Sequence, residues 1–529
     1  MSSPLERPEV MPTITELLLA RADDHSPGLR TDDCEWTWAE HVRHSAERAA
    51  LLRELLPDGE PPHVGVLLDN VPEFSFLLGG AALSGSVVVG LNPTRRGAAL
   101  ERDIRLSDCR IVLADPGYAP LLEDLALEGV QVFALDSWRH EITHRAGSPL
   151  DPVPATGDDL LALVFTSGTG GDPKAVRCTH AKIAFPGRML ADRFGLGGAD
   201  VAYVSMPMFH SNALMAGWSV GLAAGAALAL RPKFSASGFL PDVRRFGATY
   251  ANYVGTPLSY VLATPEKPDD AENPLRVVYG NEGNQRDIAR FAERFGCHVV
   301  DGFGSSEGGI AVSRTPDTPA GALGKATDGV AVLDPDTGKP CPPAEFDSAG
   351  RLLNGDAAIG ELVNTTGPGW FAGYYGAPEA DAQRMREGMY WSGDLGYLDA
   401  DGFCYFAGRS GDWLRVDGEN LGTAPIERIL LRHPHIREAA VYAVPAEVGD
   451  AVMAAITTTG DFDPASLADF LAAQADLGPK QWPSHVRLVP ELPRTSTHKV
   501  LKRELAAEAL STSDPVWTRA SGGYELHLL

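Results

Sequence analysis

From the N-terminus to about residue 400 the sequence alternates short apolar runs with segments of helical period. HVGVLLDN (63–70), SVVVGLN (86–92), IVLADP (111–116), LLALVFT (160–166) and HVVDGFG (298–304) read as buried strands. The stretches between them, such as IARFAERF (288–295), read as helices. That alternation predicts a layered α/β protein with mostly parallel sheets. Residues 333–360 are rich in Pro, Gly and Asp and are expected to form turns or hairpins. After Arg409 the texture changes to a compact unit, and the short, polar, Gly-containing GRSGD (408–412) suits a hinge between two bodies. The expected division is a large N-terminal domain of layered mixed sheets with helices (1–408) and a small, mobile α+β C-terminal domain (409–529), hinged at 409–412.

A chain of 529 residues, 44% hydrophobic, has material for more than one core. Its 45 Lys and Arg face 70 Asp and Glu, a net charge of -25. Such a surface repels phosphate backbones and anionic lipid, which argues against nucleic acid as a partner and against membrane association. A nucleotide remains possible, because it needs only one pocket of backbone N–H groups and a few cations. The six cysteines (Cys34, Cys109, Cys178, Cys297, Cys341 and Cys404) lie far apart with no CxxC pair and no Cys–His cluster, a pattern of reduced thiols without structural zinc. Two uncharged stretches, 74–91 and 213–230, are near the short end of spanning length but carry several Gly and Ser; they read as buried helix-then-strand segments. The N-terminal stretch has acidic residues and no continuous apolar run, so it does not read as a signal peptide, and a cytoplasmic location is expected.

The strongest local signal is Thr166-Ser167-Gly168-Thr169-Gly170-Gly171-Asp172-Pro173-Lys174, directly after an apolar run. Glycines let the backbone curl with its N–H groups inward, three hydroxyls add donors and Lys174 adds charge, a combination that suits a polyphosphate. It is not a Walker A loop, since Pro173 precedes the lysine and Ala175 follows it. AVRC (175–178) reads as a second strand and Thr179 as the cap of the next helix, so the loop joins two strands. By composition alone, an ordinary Gly/Ser/Thr surface loop is the alternative.

TSGTGGDPKAV resembles the phosphate loop, T-S-G-T-T-G-x-P-K-G, of the adenylate-forming superfamily of acyl-CoA synthetases, adenylation domains and luciferases. The chain departs from it at Gly170 and Ala175. Further matches follow in the family's order. Gly302-Phe303-Gly304-Ser305-Ser306-Glu307 is similar to Y-G-x-T-E, which implies Phe303 stacking on adenine, Ser306 touching phosphate and Glu307 holding Mg2+. Ser392-Gly393-Asp394 resembles the S/T-G-D whose aspartate takes the ribose hydroxyls, and Gly408-Arg409 the G-R at the ribose and hinge. PRTSTHKVLKREL (493–505) resembles P-K-T-x-x-G-K, which makes Lys499 the catalytic lysine, with His498 in place of the usual Gly. The ATP site implied is thus Thr166, Ser167, Gly168, Thr169, Gly170, Lys174, Gly280, Asn281, Phe303, Gly304, Ser306, Asp394 and Arg409. Taken singly each motif has a bland reading, a turn or a solvated lysine; together, in order, they identify the superfamily.

Ser205-Met206-Pro207-Met208-Phe209-His210-Ser211 corresponds to the strand and loop beside the family's acyl pocket. Adenylation domains for amino acids commonly carry an aspartate after the Phe; here it is His210, and a substrate ammonium would lack its partner. The pocket is expected from Phe209, His210, Tyr253, Val254, Gly255, Gly280 and Asn281, walls that suit an apolar tail, fatty or polycyclic. RSGDWLRVDGENLGTAPIE (409–427) and DPVWTRASGGYEL (514–526) look closest to fatty-acid transport protein and very-long-chain acyl-CoA synthetase relatives. Within the first, Gly418 falls in the CoA tunnel and Gly411 at the hinge. The resemblance implies ATP, Mg2+ and CoA acting on a small carboxylic acid in two half-reactions, acyl-AMP formation with release of pyrophosphate and then thioester formation with release of AMP. The alternatives are an acyl-AMP ligase that loads an acyl carrier protein, and a non-catalytic nucleotide-binding relative.

Overall fold

The computed structural model describes residues 11–527 apart from 57–58, 167–172, 284, 316, 349, 351, 410–412, 417–418, 447–449, 461, 475–476, 478–480, 495–499 and 521–522. The chain forms two compact units, Glu6–Gly308 with Trp370–Gln383, and Gly309–Gly369 with Arg384–Leu529.

The first unit opens with the antiparallel pair β1 (Pro27–Arg30) and β2 (Glu35–Thr37). Then come β3 (His63–Leu67), β4 (Val87–Gly90), β5 (Ile111–Ala114), β6 (Gln131–Ala134), β7 (Leu160–Thr166) and β8 (Lys174–Thr179). These six form one sheet in the order β6-β5-β3-β4-β7-β8, parallel except where β8 runs back along β7. A second sheet adds β9 (Val201–Val204), β10 (Ala227–Leu230), β11 (Tyr250–Val254), β12 (Val277–Asn281) and β13 (His298–Gly302) to the opening pair, in the order β13-β12-β11-β9-β10-β1-β2. The central strands β3, β4, β5, β9 and β10 are buried along their whole length, as continuous Val/Leu/Ala/Ile runs require when helices cover both faces. Helix Gln285–Phe295 carries the period expected for 288–295.

The two uncharged stretches are core segments. Helix Pro72–Ser84 leads into β4. A continuous helical segment over 211–224, with a π turn at Leu214–Trp218, leads into β10. No described helix is long and apolar enough to cross a membrane.

The second unit corrects the expectation of parallel sheets up to residue 400. Strands β14 (Val312–Ser313), β15 (Gly324–Ala326), β16 (Val330–Leu333), β17 (Gly360–Asn364), β18 (Met385–Arg386), β19 (Met389–Leu398) and β20 (Phe403–Arg409) form an antiparallel sheet. Short connections close antiparallel pairs, and β18–β19 and β19–β20 leave no room for a crossover helix. The Pro/Gly-rich segment 333–360 is instead a long connection between the antiparallel strands β16 and β17, mostly turns with a short helix at Gly355–Ala358. Beyond it, β21 (Trp413–Val416) pairs with β22 (Glu419–Gly422). Strands β23 (Ile436–Pro445), β24 (Asp450–Thr458), β25 (His485–Leu488), β26 (Val516–Ala520) and β27 (Gly523–Leu526) make a five-stranded mixed sheet, with helices Thr423–Leu430, Pro464–Ala472 and Lys502–Glu508. The protein is therefore mixed α/β throughout.

Candidate functional site

The glycine-rich loop leaves the end of β7 and returns as β8, with Thr166 and Lys174 paired across the ladder. It joins two strands, and Thr179 caps the following helix His180–Phe194 by accepting the Lys182 N–H. Ser167, Gly168, Thr169 and Gly170 lie outside the described residues. Lys174 is half-buried, its Nζ 5.2 Å from the centroid of the Tyr374 ring. The Tyr374 hydroxyl donates to Glu307 Oε1 at 3.0 Å. Tyr374 is itself pinned, by a bridge to Val176 of β8 and by its N–H donating to Asp381 Oδ1 at 2.7 Å. A cation, an aromatic face and a carboxylate are thus connected through one tyrosine. That residue is missed in the sequence because GWFAGYYG (369–376) reads as a turn-rich aromatic run. Just past Glu307 the chain turns through Gly308 at φ +72°, where a Cβ would stand 3.0 Å from Trp370 Cβ. The buried Lys182 lies close by, its Nζ donating to Arg177 O at 3.2 Å. Burial pushes the Cys178 thiol up, with Lys182 opposing the shift and Glu307 adding to it.

The C-terminal ends of β11, β12 and β13 meet the segment after β9. Gly280 is required by close packing, since a Cβ there would stand 2.3 Å from Tyr253 O and 2.4 Å from its Cδ1. The Tyr253 hydroxyl donates to Asp301 Oδ1 at 2.5 Å, which also takes the Gly283 N–H at 2.9 Å. Asn281 faces Gly302 across the ladder and donates from Nδ2 to its carbonyl at 3.0 Å. Phe303 is half-buried immediately beyond, Gly304 is exposed and Ser306 is half-buried. Phe209 is buried against Gly90, whose Cβ would meet Phe209 O at 2.7 Å, and its ring lies 4.4 Å from that of His210. Val254 and Gly255 continue from Tyr253, half-buried. Ser211, which the sequence reading places beside the acyl pocket without a role of its own, and Asn212, which it passes over, reach Ser306 and Asn281. A narrow cavity beside Tyr253 is walled by Phe239, Leu258, Val261, Val278 and Phe291, and none of its lining residues is charged.

In the second unit, Asp394 of β19 and Arg409 of β20 are register partners. The bend before Asp394 is built in: Gly393 takes φ +73° and donates its N–H to Glu361 Oε1 at 2.6 Å, and the Asp394 N–H donates to Ser392 Oγ at 3.0 Å. Burial raises the Glu361 carboxyl, opposed by that N–H and by Arg386 and Arg384. Gly411, Gly418 and Lys499 lie outside the described residues. Strands β21 and β22 flank Gly418. The segment carrying Lys499 is bracketed by an antiparallel bridge between Arg494 and Val500, Arg494 pairs with Glu438, and Lys502 pairs with Glu427 at 2.8 Å.

Among the described residues no group of three or more His, Cys, Asp and Glu side chains is arranged to hold a metal. A lone carboxylate such as Glu307 fits Mg2+, which is commonly held by one or two carboxylates together with substrate phosphates.

Residues 20–375 match the family model for the AMP-binding enzymes, and residues 425–499 that for the AMP-binding enzyme C-terminal domain. The chain is 56% identical over 511 residues to the medium/long-chain-fatty-acid–CoA ligase FadD17 of Mycobacterium marinum, covering 96% of this chain and 98% of that protein. It is 48% identical over 514 residues to the steroid-22-oyl-CoA synthetase of Rhodococcus jostii, covering 96% and 92%. Among solved structures, ATP-bound MatB from Rhodopseudomonas palustris superposes with a TM-score of 0.81 at 26% identity, covering 93% of this chain and 98% of that one.

Proposed function

Because the chain belongs to the AMP-binding enzyme family, we propose that it is an ATP-dependent, AMP-forming acyl-CoA synthetase whose substrate is an apolar carboxylic acid, a fatty acid or a steroid-22-oic acid. What supports the substrate class is the 56% identity to a medium/long-chain-fatty-acid–CoA ligase and the 48% identity to a steroid-22-oyl-CoA synthetase, with Phe209, Tyr253 and Val254 as apolar walls.

In the first half-reaction the acid's carboxylate attacks the α-phosphate of ATP and pyrophosphate leaves. Thr166, Ser167, Gly168, Thr169, Gly170 and Lys174 cradle the phosphates. Gly280, Asn281, Phe303 and Gly304 hold the adenine, Ser306 touches phosphate, and Asp394 and Arg409 hold the ribose. Glu307 would hold Mg2+, which neutralises phosphate charge when bound. Phe209, His210, Tyr253, Val254 and Gly255 orient the acid, and Lys499 offsets the charge that builds on the reacting oxygens. In the second half-reaction the CoA thiol attacks the acyl carbonyl and AMP leaves, with Gly418 leaving room for the pantetheine arm and Gly411 acting at the hinge between 1–408 and 409–529.

The test is incubation with MgATP and either dodecanoate or a steroid-22-oic acid, with and without CoA, read by mass spectrometry. Acyl-CoA formed only when CoA is present is the expected product. Acyl-AMP that accumulates despite CoA would overturn CoA as acceptor in favour of a carrier-protein thiol, and no adenylate from either acid would overturn the substrate class.

A further inference from the structure

Ser211 and Asn212 follow His210 directly, and each reaches a different residue assigned above to the nucleotide. Ser211 Oγ lies 2.6 Å from Ser306 Oγ. Asn212 Nδ2 donates to Tyr253 O at 3.0 Å and to Asn281 Oδ1 at 3.3 Å, while its Oδ1 accepts from Asn252 Nδ2 at 2.7 Å. Asn281 passes its own Nδ2–H on to Gly302 O. Three side-chain amides therefore form one directed chain from β11 through Asn212 to β12 and the carbonyl that precedes Phe303. Donors and acceptors aligned head to tail polarise one another, so the chain is stiffer than its separate bonds.

The other end of this chain is packed against the helix that Ser211 begins. Asn252 is 4% exposed; its Nδ2 donates to Asn212, while its Oδ1 is buried without a hydrogen-bond partner beside Gly217, where a Cβ would stand 2.9 Å away. Gly217 belongs to the π turn Leu214–Trp218, a helix irregularity that often accompanies function. A buried amide with one unpaired oxygen is costly, so a purely structural filler there would be apolar. Asn252 instead holds the Asn212 carbonyl, which aims the Asn212 donors at Tyr253 and Asn281.

We propose that Asn212, assisted by Ser211, is a positioning residue that couples the acyl pocket to the nucleotide pocket, so that filling one orders the other. The proposal rests on the preceding reading of Phe209 and His210 as acyl residues and of Asn281 and Ser306 as nucleotide residues. An acid that settles against Phe209 and His210 fixes the residues next to them in the chain. Asn212 then fixes Asn281 and the Gly302 carbonyl, and Ser211 fixes the Ser306 hydroxyl. Reciprocity requires that nucleotide tighten acid binding by the same factor.

The test measures the dissociation constant of magnesium α,β-methylene-ATP by calorimetry, alone and with saturating dodecanoate or steroid-22-oic acid, on the full chain. In the unaltered protein the acid tightens nucleotide binding. Asn212→Ala removes the donors without turning a carboxylate toward the Tyr253 and Asn281 oxygens. It is expected to reduce the coupling factor about fivefold, the worth of one neutral hydrogen bond. Ser211→Ala, which deletes a single hydroxyl and leaves the amide chain whole, is expected to reduce it in the same direction, and serves if the first variant does not fold. A merely structural role would weaken either ligand without changing the factor between them. Equal coupling in the unaltered protein and a folded variant overturns the proposal and leaves the synthetase reading standing. Failure of the unaltered protein to bind the analogue overturns both.

Discussion

Tyr374→Phe is the sharpest perturbation of the site, because it removes one oxygen and leaves the ring in place. The lost hydroxyl donates to Glu307 Oε1 at 3.0 Å, and Tyr374 is 4% exposed, so solvent does not readily replace it. A hydrogen bond to a charged group contributes roughly 1.5–3 kcal/mol, which is a factor of about ten or more in an equilibrium constant. Groups that orient a metal-binding carboxylate cost roughly 10–100-fold in metal affinity when deleted. The Mg2+ concentration giving half-maximal ATP–pyrophosphate exchange should therefore rise about tenfold. The Lys174 ammonium keeps the aromatic face 5.2 Å away, so the KM for ATP at saturating Mg2+ should move by less than about twofold. Mn2+ binding followed by electron paramagnetic resonance gives a readout independent of turnover. Tyr374→Ala, which also removes the ring from beneath Lys174, should raise the KM for ATP as well. An unchanged metal titration in a folded Tyr374→Phe protein would refute the idea that this hydroxyl orients Glu307.

Gly280→Ala places a methyl 2.3 Å from Tyr253 O, so it should cost about 1–3 kcal/mol in chemical denaturation and weaken acid binding by displacing Tyr253. His41 is held down to about 3 by burial, with the charges of His44 and Arg48 adding to it. Its unfolded form takes up a proton below about 6.5 while the folded form does not, so stability falls as pH drops through that window; at about 1.4 kcal/mol per unit the loss approaches 5 kcal/mol. His41→Gln should flatten the slope of stability against pH between 6.5 and 4, and a slope that persists unchanged assigns the loss to other groups. Lys499→Ala should abolish acyl-AMP formation yet spare thioester formation from supplied acyl-AMP, and Gly418→Leu should do the reverse. Equal loss of both half-reactions in either variant would mean the residue has been given the wrong role.

What the sequence makes legible follows from how local each signal is. β3, β4 and β9 can be read because a strand buried on both faces must be apolar without interruption. The sheet of β14–β20 cannot: bulges between Glu361 and Val363 and between Leu395 and Gly396 break its period-two pattern, and its turns read the same whichever way the strands run. The site divides along the same line. Thr166, Lys174, Glu307 and Asp394 stand inside short motifs, so their residue types and spacing single them out as candidates. Tyr374 reaches Glu307 across 67 residues and Asn212 reaches Asn281 across 69; no motif surrounds the tyrosine, and the asparagine stands just past the segment 205–211, whose pattern does not say what it touches. Even Gly280, recognisable as a candidate ATP residue, hides its reason until β11 and β12 are in register and the Tyr253 carbonyl occupies the space a side chain would need. Residues that touch a substrate are constrained by the substrate and so recur as patterns. Residues that join distant parts of the site are constrained only by the distance between two elements of this fold. For this chain the variants that alter coupling without abolishing chemistry should therefore be sought among polar contacts between elements distant in sequence, with Asn212 and Tyr374 first, and not within the motifs.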